Sequence, residues 1–129
     1  MKPEAANCLR KARTYLRRAN NWLNAIHEGD EAARVAYLAG FHAAQALIFE
    51  RTGKIAKTHR GVRSEFTRLA AQELQLDGSS TQFLGRGYQR KEAVDYDTSS
   101  DEIVTAAEAR EMIEAATSFV DQIAAILAK

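Results

Sequence analysis

The chain has 129 residues, with 18 Lys and Arg against 17 Asp and Glu, one Cys and one Pro. That length is one domain, residues 1–129, and 46% hydrophobic with 27% charged residues excludes a disordered chain. Cys8 alone excludes an intrachain disulfide and a cysteine-based zinc site. No uninterrupted apolar run reaches the roughly 20 residues that cross a bilayer, and Met1-Lys2-Pro3-Glu4 lacks a signal-peptide core. The expected location is the cytoplasm, with no membrane contact.

The net charge of +1 conceals a segregation. Residues 1–18 carry six basic side chains (Lys2, Arg10, Lys11, Arg13, Arg17, Arg18) against Glu4. Residues 51–68 carry six more (Arg51, Lys54, Lys57, Arg60, Arg63, Arg68) and His59 against Glu65, whereas 101–129 holds six carboxylates and two basic groups. Local fields, not the total, decide whether a polyanion is attracted.

From Leu9, the apolar positions Leu9, Ala12, Leu16, Ala19, Leu23 and Ile26 recur at three and four. This predicts a first helix over about 4–27, with the basic residues off its stripe. Gly29 is expected to close it, His27 to meet its dipole, and Asp30 to cap the next helix. The second helix, about 31–51, is apolar around most of its circumference, so it should be central, and Gly53 ends it. Gly40, Ala43 and Ala44, with Ala36, form a flat strip along which another helix could approach.

Thr58 and His59 open a third helix through Gln72, with Val62, Phe66 and Leu69 or Ala70 inward and Arg60, Arg63 and Arg68 outward. Ser80 is expected to cap a fourth helix from Thr81 to Val94, weakened by Gly85 and Gly87, and 95–101 reads as a loop. Thr105 with Glu108 three residues on is a capping box for the last helix, whose inward face is Ala109, Met112, Ile113, Ala116, Val120, Ile123 and Leu127. No segment alternates with period two. The fold class is all-α, a five-helix up-and-down bundle without internal repeats.

Chemistry is concentrated in Arg86-Gly87-Tyr88-Gln89-Arg90-Lys91-Glu92-Ala93-Val94-Asp95-Tyr96. A last turn loosening into the loop would bring the guanidinium of Arg90 to the carboxylate of Asp95. That pair reads either as a phosphate-facing site, with Tyr96 to stack a base, or as an internal salt bridge. His42 reads as a hydrogen-bonded core residue and His59 as a helix-start residue among cations. No His pair at i, i+4 and no His–carboxylate cluster has metal-ligand spacing, so neither a metal nor another cofactor is expected. Gly85-Arg86-Gly87 lacks the preceding strand that a phosphate-binding loop requires.

Taken together, Ala36-Tyr37-Leu38-Ala39-Gly40-Phe41-His42-Ala43-Ala44-Gln45-Ala46-Leu47, then Lys57-Thr58-His59-Arg60-Gly61-Val62 and Phe66, then Arg90 ahead of Asp95-Tyr96, resemble the HEPN family (higher eukaryotes and prokaryotes nucleotide-binding). The resemblance covers nearly the whole chain. It implies a five-helix bundle that pairs as a homodimer through helices two and four, with Gly40, Ala43 and Ala44 at the interface. It also implies a toxin–antitoxin or defence module, often with a minimal nucleotidyltransferase as partner. Active members of the family are metal-independent endoribonucleases that use an Arg and, four to six residues later, a His at the dimer interface.

On that resemblance Arg90, Asp95 and Tyr96 are the catalytic candidates, and Arg86, Lys91, His59 and Arg60 the candidates for binding RNA or nucleotide. The chain departs from the pattern at the His, which is Asp95 here. A carboxylate of ordinary pKa near ~3.9 is a poor proton donor at neutral pH, and an adjacent Arg lowers it further. The alternative is a catalytically inactive subunit that serves as an interaction module for the nucleotidyltransferase.

Overall fold

The computed structural model describes residues 1–99 and 101–129; position 100 of the loop expected over 95–101 lies outside them. Five helices run in order: α1 (Pro3–Asn24), α2 (Gly29–Thr52), α3 (His59–Ala70), α4 (Gly78–Tyr96) and α5 (Ala106–Leu127). No strand occurs among the described residues, and all five helices contribute to one hydrophobic core.

α1 begins with Pro3 in its first turn, where the missing N–H costs nothing. Ala5, Ala12, Leu16, Ala19 and Leu23 are its buried stripe. The helix stops at Asn24, earlier than the expected 27, which leaves Ile26 exposed. The chain reverses on His27, which adopts a left-handed φ of 63°, so His27 is a turn residue and not a helix-end cation. Gly29 does not close α1 but opens α2, for a steric reason. A Cβ there would fall on Glu102 Oε1 and lie 2.6 Å from Val104 O.

The expected Asp30 cap is likewise replaced by a longer-range role. Glu28 occupies the N-cap position without a side-chain bond, and the Asp30 carboxylate accepts from Val104 N at 2.7 Å and Ile103 N at 3.1 Å. Glu102 accepts from Gly29 N at 2.9 Å. The start of α2 therefore clamps the segment leading into α5.

α2 packs against each of the other four helices. By length and composition it is the one described helix apolar enough to cross a membrane, yet 78% of its most apolar stretch is buried inside the bundle. Its C-terminus closes on Gly53 with φ 72°, and Gly53 N donates to Phe49 O at 2.8 Å.

The small-residue strip is not at a free surface. Ala43 and Ala44 are 0% exposed within a single chain, and a Cβ on Gly40 would land on Cε2 of the Phe83 ring and 2.8 Å from its Cζ. The chain's own α4 thus fills the approach that Gly40 permits, and Ala43 and Ala44 are covered within the protomer. Gly87 repeats the device from the other side, since a Cβ there would sit 2.8 Å from Tyr37 Cδ1.

Thr58 caps α3 by accepting from Gly61 N at 2.9 Å, and Val62, Phe66 and Leu69 face inward. α4 is longer at both ends than expected. Asp77, not Ser80, is its cap and accepts from Ser79 N at 3.0 Å. Ser80 is buried inside the helix and donates to Gln122 of α5 at 3.2 Å. Helical geometry runs through Asp95 and Tyr96, so the loop begins only at Asp97. The capping box of α5 is formed in both directions, Glu108 N to Thr105 Oγ1 at 3.1 Å and Thr105 N to Glu108 Oε1 at 3.2 Å. Phe119 and Ile126 join its expected inward face, and Met112 is half-buried.

Because Phe83 fills the space beside Gly40, Gly40→Val should destabilise the protomer by about 1–3 kcal/mol through overpacking. Urea denaturation followed by circular dichroism reads this directly. An unchanged midpoint together with loss of a dimer would return the strip to an intersubunit role.

Candidate nucleic-acid interface

The expected catalytic and RNA-binding residues lie on α3 and α4, and α4 divides those it carries. At 100° per residue, Arg90 and Asp95 are about 140° apart around the axis, while Lys91 and Asp95 lie within about 40°. Since helical geometry persists through Tyr96, no loosened turn closes that gap. Within the protomer Arg90 and Asp95 accordingly do not pair with each other, and each has its own partner.

One side of α4 faces α5. Arg90 Nη1 donates to Glu108 Oε2 at 2.8 Å, both side chains about 40% exposed. Glu108 is the same carboxylate that closes the capping box. The Arg90 bond and then the Thr105 donors hold its pKa below the usual range. Arg86 shares this side, in a groove of about 360 Å³ that also includes Phe83, Glu111 and Met112. Tyr96, 78% exposed, belongs to neither cluster.

The opposite side of α4 faces α2 and α3. Lys91 Nζ binds Asp95 Oδ2 at 2.7 Å, Arg34 Nε of α2 binds Asp95 Oδ1 at 3.0 Å, and Arg34 Nη1 binds Glu31 at 3.1 Å. Burial is the largest influence on Asp95 and pushes its pKa up, but the bonds and charges of Lys91 and Arg34 together outweigh it and hold the carboxyl low. Asp95 is therefore an anchored anion without a proton to give.

Against this network sits His59, the first residue of α3. Its Nδ1 is 2.9 Å from the hydroxyl of buried Tyr37. Burial pushes the Tyr37 phenol far above its ordinary value, so the hydroxyl that shares this hydrogen bond stays protonated. The His59 ring lies 4.7 Å from Phe41, 5.3 Å from Tyr88 and 5.6 Å from Tyr37 between centroids. Burial first, then the charge of Lys91, lowers the His59 pKa; Glu92 and Asp95 pull it upward and Arg63 reinforces the fall. The ring is half-buried and neutral at neutral pH.

One turn on, Arg63 lies over the Tyr88 ring at 4.1 Å, so it is not the outward solvated cation expected. Arg63 Nε and Glu92 Oε2 are buried without a protein hydrogen-bond partner among the described residues. The carboxylate of Glu92 raises the Tyr88 phenol. Arg60 is exposed beside Arg63, Ser64 and Thr67 on the outer surface of α3. The face therefore combines stacked rings, a neutral imidazole and cations, the components that engage bases and phosphates.

A five-helix fold with this helix-two and helix-three arrangement can be set against known families. The HEPN domain profile matches residues 5–126. The chain belongs to the HEPN domain family. A search of curated proteins finds no match.

In this HEPN protein, of the expected residues, His59, Lys91 and Asp95 are brought together, Arg86 and Arg90 share the α5 side, and Arg60 and Tyr96 stand apart. Tyr37, Arg34, Arg63 and Tyr88 were not among the expected site residues. Part of the signal is visible in spacing: His59 and Arg63, like Arg34 and Leu38 or Tyr37 and Phe41, are four apart and share a helix face. Their convergence across three helices has no such signal. Among the described residues no three His, Cys, Asp or Glu side chains gather closely enough to hold a metal ion.

His42 is a buried hydrogen-bonded residue, with Nδ1 2.8 Å from Gln45 Oε1 and an edge-on contact to Tyr15 at 5.0 Å. Burial lowers its pKa, the bond to Gln45 opposing. Both His42 and His59 thus protonate less readily folded than unfolded. Their stabilising contribution is complete above the ordinary value of 6.5 and is lost as pH falls through it toward the folded value. The melting temperature should drop between about pH 7.5 and 5.5, and His42→Asn should flatten that slope. A slope in both His42→Asn and His59→Asn equal to that of the wild type would refute the assignment.

Proposed function

We propose that this HEPN protein binds single-stranded RNA on the face built from the start of α3 and the Tyr88–Asp95 side of α4. On this reading it is the HEPN subunit of a cytoplasmic toxin–antitoxin or defence module, with a minimal nucleotidyltransferase as partner. The observation that carries the reading is the His59 cluster, in which a neutral imidazole and the Arg63–Tyr88 stack share one surface. Rings and a guanidinium plane suit unstacked bases, and ammonium and guanidinium groups suit the backbone.

Cleavage by 2′-hydroxyl attack needs one group to accept a proton and another to donate one. His59 suits the first task. Asp95 is held as an anion, and the pKa values of Lys91 and Tyr88 are raised, so none of the three is a ready donor at neutral pH. The protomer therefore reads as a binding subunit, and the engagement of Arg90 with Glu108 favours a structural role for that arginine.

In fluorescence anisotropy with a labelled oligoribonucleotide, Arg63→Ala should weaken binding roughly ten-fold, within the range for stacking contacts, and Lys91→Ala should weaken it less, since Asp95 already holds that ammonium. Arg90→Ala should change it less than about two-fold, since its guanidinium lies on the α5 side. A dominant effect of Arg90 would sink the proposed face. With chelator present the RNA should stay intact; cyclic-phosphate products that disappear in His59→Ala would assign cleavage to this face instead.

A further inference from the structure

The two basic segments of the sequence are joined through a row of rings. On α1, Lys11, Tyr15 and Arg18 succeed one another at spacings of four and three, which aligns them along one face. Lys11 Nζ is 6.0 Å and the Arg18 guanidinium 5.2 Å from the Tyr15 ring centroid. Tyr15 meets His42 edge-on at 5.0 Å, His42 meets Phe41 at 5.3 Å, and Phe41 meets His59 at 4.7 Å. The row ends at Tyr88 under Arg63. A half-exposed tyrosine with a guanidinium on it therefore stands at each end, with mostly buried rings between.

The basic residues of α1 are not equivalent. Arg13 is engaged by Asp121 of α5 at 3.3 Å. Lys11 and Arg18 are exposed and have no carboxylate partner among the described residues. Their charge is uncommitted, and it flanks the half-exposed Tyr15 ring, from which buried His42 and Phe41 lead to His59. Cations that interleave with rings along one surface match the alternation of phosphate and base in a single strand.

We propose that Tyr15, with Lys11 and Arg18, is a second stacking platform for the same RNA strand, which runs from the Arg63–Tyr88 stack across α2 to the basic face of α1. The inference rests on the RNA reading of the His59 face. It assigns the α1 charge a strand-tracking function and makes affinity depend on length, because a short strand reaches one platform only.

The test is an affinity series in the full chain with an oligouridylate of about four nucleotides and one of about twelve, lengths within the range of such sites. The double variant Lys11→Ala/Arg18→Ala should leave binding of the short strand within about two-fold. For the long strand it should reduce the log–log salt slope by about 1.4, at 0.7 per phosphate contact for single strands. Tyr15→Leu should weaken the long strand roughly ten-fold and Tyr15→Phe should retain binding, since the ring and not the hydroxyl stacks. All substituted positions are partly or wholly exposed, and circular dichroism confirms that the helices remain. Long-strand affinity and salt slope equal to wild type in the double variant, or equal losses at both lengths, would overturn the α1 platform while leaving the His59 face standing. Failure of the wild type to bind either strand would overturn both.

Discussion

A helix that is apolar around most of its circumference has little face to offer to water, and α2 is such a helix. Four other helices enclose it, and the approach of α4 is close enough to need Gly40 beneath Phe83 and Gly87 beneath Tyr37. Each glycine costs about 1 kcal/mol of helix propensity relative to alanine. That cost is offset by burial of two aromatic side chains, each worth roughly 1.5–3 kcal/mol on removal from water. Gly29 plays the same part at the start of α2, where the segment before α5 crosses it and is tied down by Asp30.

Enclosing α2 also settles the chemistry of α4. Once the Leu84–Gly87 side of that helix is pressed on α2, Tyr88, Lys91 and Asp95 must emerge toward α3, and Arg86 and Arg90 toward α5. Each cation then finds a different carboxylate, Lys91 with Asp95 and Arg90 with Glu108. The Arg34–Asp95 and Arg90–Glu108 pairs are partly exposed, and such pairs are screened by solvent, so they orient the ends of helices more than they stabilise them. What remains toward α3 is a half-buried imidazole whose basicity is set by burial and by the Lys91 charge.

Much of this was legible in the residues. The α1 stripe, the all-round apolar α2, the Thr58 cap, the Gly53 stop and the Thr105–Glu108 box are local signals, and each is present in the folded chain. The errors share a cause. Gly29 and Asp30 resemble a stop and a cap, and Ser80 resembles a cap, but each is committed to a partner between 42 and 74 positions away in sequence, which nothing nearby can report. The small-residue strip was legible as a surface of close approach. Whether the approaching helix belonged to the same chain was not.

The sequence by itself determined that this is a five-helix HEPN chain with two basic segments and an Asp in place of the expected His after Arg90. Those features rest on periodicity, capping and motif order, which act over a few residues. Only the tertiary structure decided that Arg90 and Asp95 turn away from each other, that His59 joins Tyr37 and Tyr88, and that Tyr15 lies at the far end of the same row of rings. The reason is geometric: helical rotation distributes neighbours in sequence to opposite sides, and packing against α2 gathers residues from α1, α2, α3 and α4 onto one.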